Sequence, residues 1–97
     1  MYTVRLDIVA KTTASLGRPL TQLVQLGKEF PITALFFISW NHNKDWVTWH
    51  VVAGGSSTGN SNTRDYVWLS YRNDYSGDLV GTIWLHVLYF NDLNVVQ

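Results

Sequence analysis

The chain has no cysteine, which excludes disulfides, thiolate nucleophiles and cysteine-ligated zinc. Its stability rests on packing, alone or with a second copy. Charge is also scarce: 14% of residues are charged, against about 25% in an ordinary domain. Seven basic and seven acidic residues cancel to a net charge of zero, so little repulsion opposes self-association. The lysines and arginines stand singly. They offer no basic patch for nucleic acid and no polybasic segment for anionic lipid. The longest apolar run, residues 34–38, is far too short to span a bilayer, so no membrane insertion is expected. The opening MYTVRLD lacks the basic and apolar regions of a signal peptide, and no Asn-x-Ser/Thr sequon follows. The expectation is a soluble protein, either cytoplasmic or released without a conventional signal.

Aromatics, by contrast, are plentiful. Phe, Trp and Tyr make up 14% of the chain, with five Trp among 97 residues. Aromatic rings supply core area, but also flat contact surfaces with a polar edge. The length fits one domain spanning residues 1–97. Such a chain buries roughly 60–65% of its unfolded surface, enough for one core.

The hydrophobic pattern is mostly of period two. Tyr2, Val4, Leu6 and Ile8 alternate with Thr3, Arg5 and Asp7, which predicts a half-buried strand. Residues 11–19 read as a loop. Residues 20–26 fit either a strand, which we favour, or a helical turn stopped by Gly27. Residues 32–40, rich in branched and aromatic side chains, predict a strand. The turn formers at 41–44 would join it in a hairpin to a strand over 45–53, with Val47, Trp49, Val51 and Ala53 on one face. Residues 54–62 (GGSSTGNSN) hold nothing apolar and read as a flexible loop, long for a hairpin. Strands follow at 65–71 and 82–90. In the second, Ile83, Leu85, Val87 and Tyr89 oppose Trp84, His86, Leu88 and Phe90. Two apolar faces predict a central strand or one under a partner. Asn91-Asp92 turns the chain into a last strand over 93–97. About seven short strands with polar turns predict an all-β antiparallel sandwich or barrel.

Catalytic and metal chemistry finds little support. His42, His50 and His86 lack metal-ligand spacing, and no cofactor is expected. Asp74 and Asp78 could form a carboxylate pair, although loops use such residues mostly as turn formers. The Gly54-Gly55-Ser56-Ser57-Thr58-Gly59 run lacks the Gly-Lys-Ser/Thr ending and the following helix of a phosphate loop. The aromatics carry the one positive signal. Trp46 shares a strand face with His50, and Trp84 with His86. An exposed ring beside hydroxyls suits a sugar, whose flat apolar face stacks while its hydroxyls find polar partners. Most tryptophans are nonetheless core residues.

Five stretches resemble the fungal immunomodulatory proteins of mushrooms. Val4-Arg5-Leu6 is similar to that family's Phe-Arg-Leu, and Gly17-Arg18 precedes Phe30-Pro31 at the family's separation. Trp49-His50-Val51, with Gly55 and Gly59, is similar to its Tyr-Arg-Val strand and glycine turn. Leu69-Ser70-Tyr71, Tyr75 and Thr82-Ile83 match without a gap, and Asn91-Asp92 with Val95-Val96-Gln97 resembles its closing segment. The resemblance implies an immunoglobulin- or fibronectin-III-like sandwich and a homodimer built through the N-terminal segment. It also implies lectin-like binding of cell-surface glycans or glycoproteins that stimulates lymphocytes, with no enzyme activity. Of the family's sugar-contacting positions, Thr82 and Ile83 carry over. Its tryptophan before Gly-Arg is Leu16 here, and its helical N-terminal segment reads here as a strand.

The sequence therefore predicts a carbohydrate-binding, immunomodulatory-type β-sandwich of about seven strands. Its candidate contacts are Thr82, Ile83, Trp84 and Trp46, with the 54–62 loop setting specificity. The alternative is a protein-interaction or structural module without a sugar site. Trp46, Trp68 and Trp84 lining one continuous apolar patch would favour that alternative; isolated platforms favour the sugar site.

Overall fold

A computed structural model describes residues 1–42 and 46–89. They form six strands: β1 (Tyr2–Ala10), β2 (Leu20–Pro31), β3 (Leu35–Trp40), β4 (Val47–Gly55), β5 (Thr63–Asn73) and β6 (Leu79–Leu88). One antiparallel sheet has the order β1-β6-β3 and the other β2-β5-β4. The period-two pattern decides which side of each strand is buried. Ile8 and Ala10 of β1, Val24 and Leu26 of β2, Val67 and Leu69 of β5, and Ile83, Leu85 and Val87 of β6 all point inward. All but Ala10, which packs with Val47 and Tyr71 in a smaller cluster, make one shared core from both sheets, joined by Phe30 and Ala34. β6, apolar on both faces, is central in its sheet, as the sequence predicts.

Residues 20–31 adopt the favoured strand rather than the helical turn. The expected hairpin between residues 32–40 and 45–53 does not form. β3 pairs with β6 and β4 with β5, so the chain crosses between sheets after Trp40. Both strands own an inward aromatic face, and these meet across the interior, with the Trp40 and Trp49 rings 5.4 Å apart. Pairing side by side in one sheet would leave those rings abreast instead of opposed. The hairpin is β4–β5, and the polar loop after Gly55 closes it. A bulge at Val52 shifts the register, so Ala53 stands opposite Trp68 on the outer face, not beside Val51. The expected strand at 93–97 lies outside the described residues, as do Asn43, Lys44, Asp45 and Phe90.

Two local devices close the ends of the core. At one end, buried Asn73 donates from Nδ2 to the carbonyls of Ala10 (2.7 Å) and Gly77 (3.1 Å), and its Oδ1 accepts from the Tyr75 N–H (3.0 Å). Its own backbone exchanges hydrogen bonds with Thr13. This one amide ties the end of β1 to the end of β5 and to the turn before β6. At the other end the β2–β5 register breaks between Gln25 and Phe30, with Gly27 at φ +87°. That break carries the Lys28 ammonium over the rings of Tyr2, Phe30 and Tyr89, at 5.0, 5.3 and 5.5 Å from their centroids. The three rings already hold a cation from the chain itself.

Candidate binding face

The outer face of the β1-β6-β3 sheet brings together an aromatic ring and a ring of polar groups. Trp84 follows from the pleat: its neighbours Ile83 and Leu85 are fully buried, so it must point outward, where it is half-buried. Its cross-strand partners are Arg5 on β1 and Ser39 on β3. One row along, His86 stands between Thr3 and Phe37; one row the other way, Thr82 stands beside Asp7. Side chains in adjacent rows lie within reach of one another.

Hydrogen bonds fix these polar groups. Thr82 Oγ1 donates to Asp7 Oδ1 at 2.8 Å, and Arg5 Nη2 meets the same oxygen at 3.2 Å. Asp7 Oδ2 has no protein partner among the described residues and remains an open acceptor. On the other side of the indole, His86 Nε2 pairs with Ser39 Oγ at 2.8 Å, and His86 Nδ1 pairs with Thr3 Oγ1 at 3.3 Å. Each hydroxyl can donate or accept, so either imidazole tautomer is satisfied. A serine beside a histidine also suggests a nucleophile and its base. Here, however, the second ring nitrogen meets a hydroxyl where hydrolytic triads place a carboxylate. The array is arranged to exchange hydrogen bonds.

The four predicted contacts do not share this face. Trp84 belongs to it directly. Thr82 is 8% exposed; it acts through Asp7, which it holds, and its own N–H donates to Asn41 Oδ1 at 2.8 Å. Ile83 is 0% exposed and fills the core, so its side chain offers no surface to a ligand. Trp46 sits at the far end of the fold, stacked on Tyr75 with centroids 4.2 Å apart and planes at 26°. All of β4 separates it from the polar loop, roughly 25 Å at the rise of a strand.

That loop is anchored, not free. Glu29 Oε1 accepts from Ser56 (3.1 Å), Thr58 (2.9 Å) and Thr63 (3.2 Å) hydroxyls, while Asp65 takes both the Ser57 hydroxyl and its N–H. The hydroxyls of Ser56, Ser57 and Thr58 are thus engaged by the scaffold. An open cleft of about 440 Å³ runs beside it, lined by Ile32, Gly55, Asn60, Arg64 and Tyr66 among others. On the outer face of the second sheet, Trp68 lies between Leu23 and Ala53. That row is apolar, and the rows on either side of it bring Gln25 and Tyr66 in one direction and Thr21, Ser70 and His50 in the other. Trp46, Trp68 and Trp84 therefore occupy three separate places, and Trp40 and Trp49 face inward.

Asp78, one of the two carboxylates considered for catalysis, accepts from the Thr12 N–H at 2.9 Å, and the Asp74 N–H donates to the Trp46 carbonyl at 2.9 Å. Both make turn contacts. Among the described residues, no three His, Cys, Asp or Glu side chains are placed to hold a metal ion, and no helix is long and apolar enough to cross a membrane. Sequence reading singled out Trp84 and His86 but missed Arg5, Asp7 and Ser39. Their alternation was visible on their own strands; their placement beside Trp84 depends on pairings that no local signal announces. Comparison with family models, with curated proteins and with solved structures returns no match.

Proposed function

We propose that the protein is a lectin-like, non-enzymatic glycan-binding domain whose sugar stacks on Trp84. The observation that carries this reading is the isolation of Trp84 among hydrogen-bonding groups on both sides. A pyranose has an apolar face and an equatorial belt of hydroxyls. The indole suits the first; Asp7, Arg5, Ser39 and His86 suit the second. Separate tryptophan platforms, not one continuous apolar patch, also favour a sugar site over a purely protein-binding surface. In this reading the two facing sheets belong to an immunoglobulin- or fibronectin-III-like sandwich. Cell-surface glycans or glycoproteins are the target, and immune-cell stimulation follows from binding them, as the resemblance to the fungal immunomodulatory proteins implies. A glycan array probed with the purified protein tests the proposal. Dose-dependent binding to a defined sugar, competed by that sugar when free, is the expected result; a blank array from folded protein would overturn it.

The Leu23–Trp68–Ala53 surface favours a second reading, a protein-interaction module that uses the opposite sheet. Retained partner binding after Trp84→Ala and its loss after Trp68→Ala would distinguish that reading from the first.

A further inference from the structure

β4 ends in two glycines, and its neighbour β5 carries long side chains beside them. A Cβ at Gly54 would stand 3.0 Å from Arg64 Cδ, and one at Gly55 would stand 2.7 Å from Tyr66 Cζ. Glycine in a strand often marks such a close approach. The bare backbone lets the Arg64 stem and the Tyr66 ring lie across the end of β4. Both side chains line the open cleft of about 440 Å³ beside the polar loop, a volume within the roughly 300–1,000 Å³ of small-molecule sites.

The charges around the loop divide into two groups. Glu29 and Asp65 accept hydrogen bonds from the loop. They line a different hollow, together with Lys28, whose ammonium lies over three rings. Among the described residues, Arg64 is the one charged group lining the cleft. Its guanidinium has no hydrogen-bond or ion-pair partner among those residues. No carboxylate lines the cleft to repel an anion. Asn60 Oδ1 accepts from the Asn62 N–H at 2.9 Å, which leaves the Asn60 Nδ2 to donate elsewhere. The hydroxyls of Ser61 and Tyr66 likewise have no protein partner among the described residues. Ile32 and the Tyr66 ring supply the apolar wall.

We infer that this cleft binds an acidic monosaccharide unit, its carboxylate or sulfate held by Arg64. The guanidinium fork matches two oxygens of either oxyanion. Asn60, Ser61 and the Tyr66 hydroxyl suit the ring hydroxyls, and the Tyr66 ring with Ile32 suits the apolar face of the sugar. The cleft belongs to the β2-β5-β4 sheet, whereas Trp84 belongs to the other. It is a second site, and it stands whether or not a sugar stacks on Trp84.

Amide shifts of the intact chain, followed by NMR during separate titrations with glucuronic acid, glucose 6-sulfate, glucose and inorganic sulfate, test the inference. The expected result is a saturable shift at Gly55, Asn60, Ser61 and Arg64 with one or both acidic sugars. Their affinity should exceed that of glucose and of inorganic sulfate by about tenfold or more. The two acidic sugars distinguish a planar carboxylate from a tetrahedral sulfate as the preferred anion. Arg64→Gln should weaken binding by about tenfold, whereas Trp84→Ala should leave it unchanged. No saturable shift at those amides would overturn the inference, as would equal affinity for glucose or for inorganic sulfate. The wild-type titrations decide the matter even if Arg64→Gln fails to fold.

Discussion

Replacing Asn73 with alanine should be among the costliest polar substitutions in the chain. The side chain is fully buried and makes three hydrogen bonds, two from Nδ2 and one to Oδ1. Each such bond contributes about 1 kcal/mol net, and partners left buried and unpaired cost more. The expected loss is therefore about 3 kcal/mol. The three bonds between the Asn73 backbone and Thr13 survive, so the estimate concerns the amide alone. With an unfolding entropy of about 2 cal/mol/K per residue, that loss lowers Tm by about 15 °C. Asn73→Asp should be worse. It replaces a donor with an acceptor facing the Ala10 and Gly77 carbonyls, and it introduces a buried charge. Urea denaturation of the three proteins, with the slope m compared, measures the effect. A loss below about 1 kcal/mol for the alanine variant at unchanged m would refute the claim that this amide ties the end of the fold together.

Gly27→Ala should cost about 1–3 kcal/mol. A φ of +87° disfavours any Cβ, and the new atom would sit 3.0 Å from the Tyr2 hydroxyl. Thermal melts read the loss, and a neutral result would mean the register break is not held by this glycine. Glu29→Ala frees the hydroxyls of Ser56 and Thr58 in the loop and of Thr63 at the start of β5, so global stability should fall by less than about 2 kcal/mol. Hydrogen exchange within residues 56–62 should accelerate clearly, and unchanged exchange would contradict the anchoring role. Asp7→Ala should weaken glycan binding about tenfold, the effect of losing a charge-assisted acceptor; titration with the sugar found on the array checks it.

Individual strands were legible because burial on one side writes itself as alternation. β1 could be read almost residue by residue, and β6 from Thr82 onward, including the inward Ile83 and outward Trp84, although its first three residues, Leu79–Gly81, read as loop. What could not be read was which strands pair. The turn formers after Trp40 fit a hairpin as well as they fit a crossing between sheets. The crossing sets the Trp40 and Trp49 rings against each other, a contact that exists only in three dimensions. The Val52 bulge, one extra residue in β4, likewise reversed the facing of Ala53 without a glycine or proline at that position to signal it. The candidate site followed the same division. Trp84 was visible from its strand, whereas Asp7 and Ser39 joined it through pairing at sequence separations that no local pattern encodes. Thr82 and Ile83 were adjacent in the chain, but the pleat sent one to support Asp7 and the other into the core.

The most direct test of the proposed function is a calorimetric titration of a glycan selected on the array into wild-type protein and the Trp84→Ala and Trp68→Ala variants, each confirmed as folded. The sugar-stacking account predicts that Trp84→Ala loses about 2 kcal/mol of binding, roughly thirtyfold in affinity, while Trp68→Ala binds like the wild type. Equal affinity for wild type and Trp84→Ala, or a loss confined to Trp68→Ala, would contradict it and move the binding surface to the other sheet.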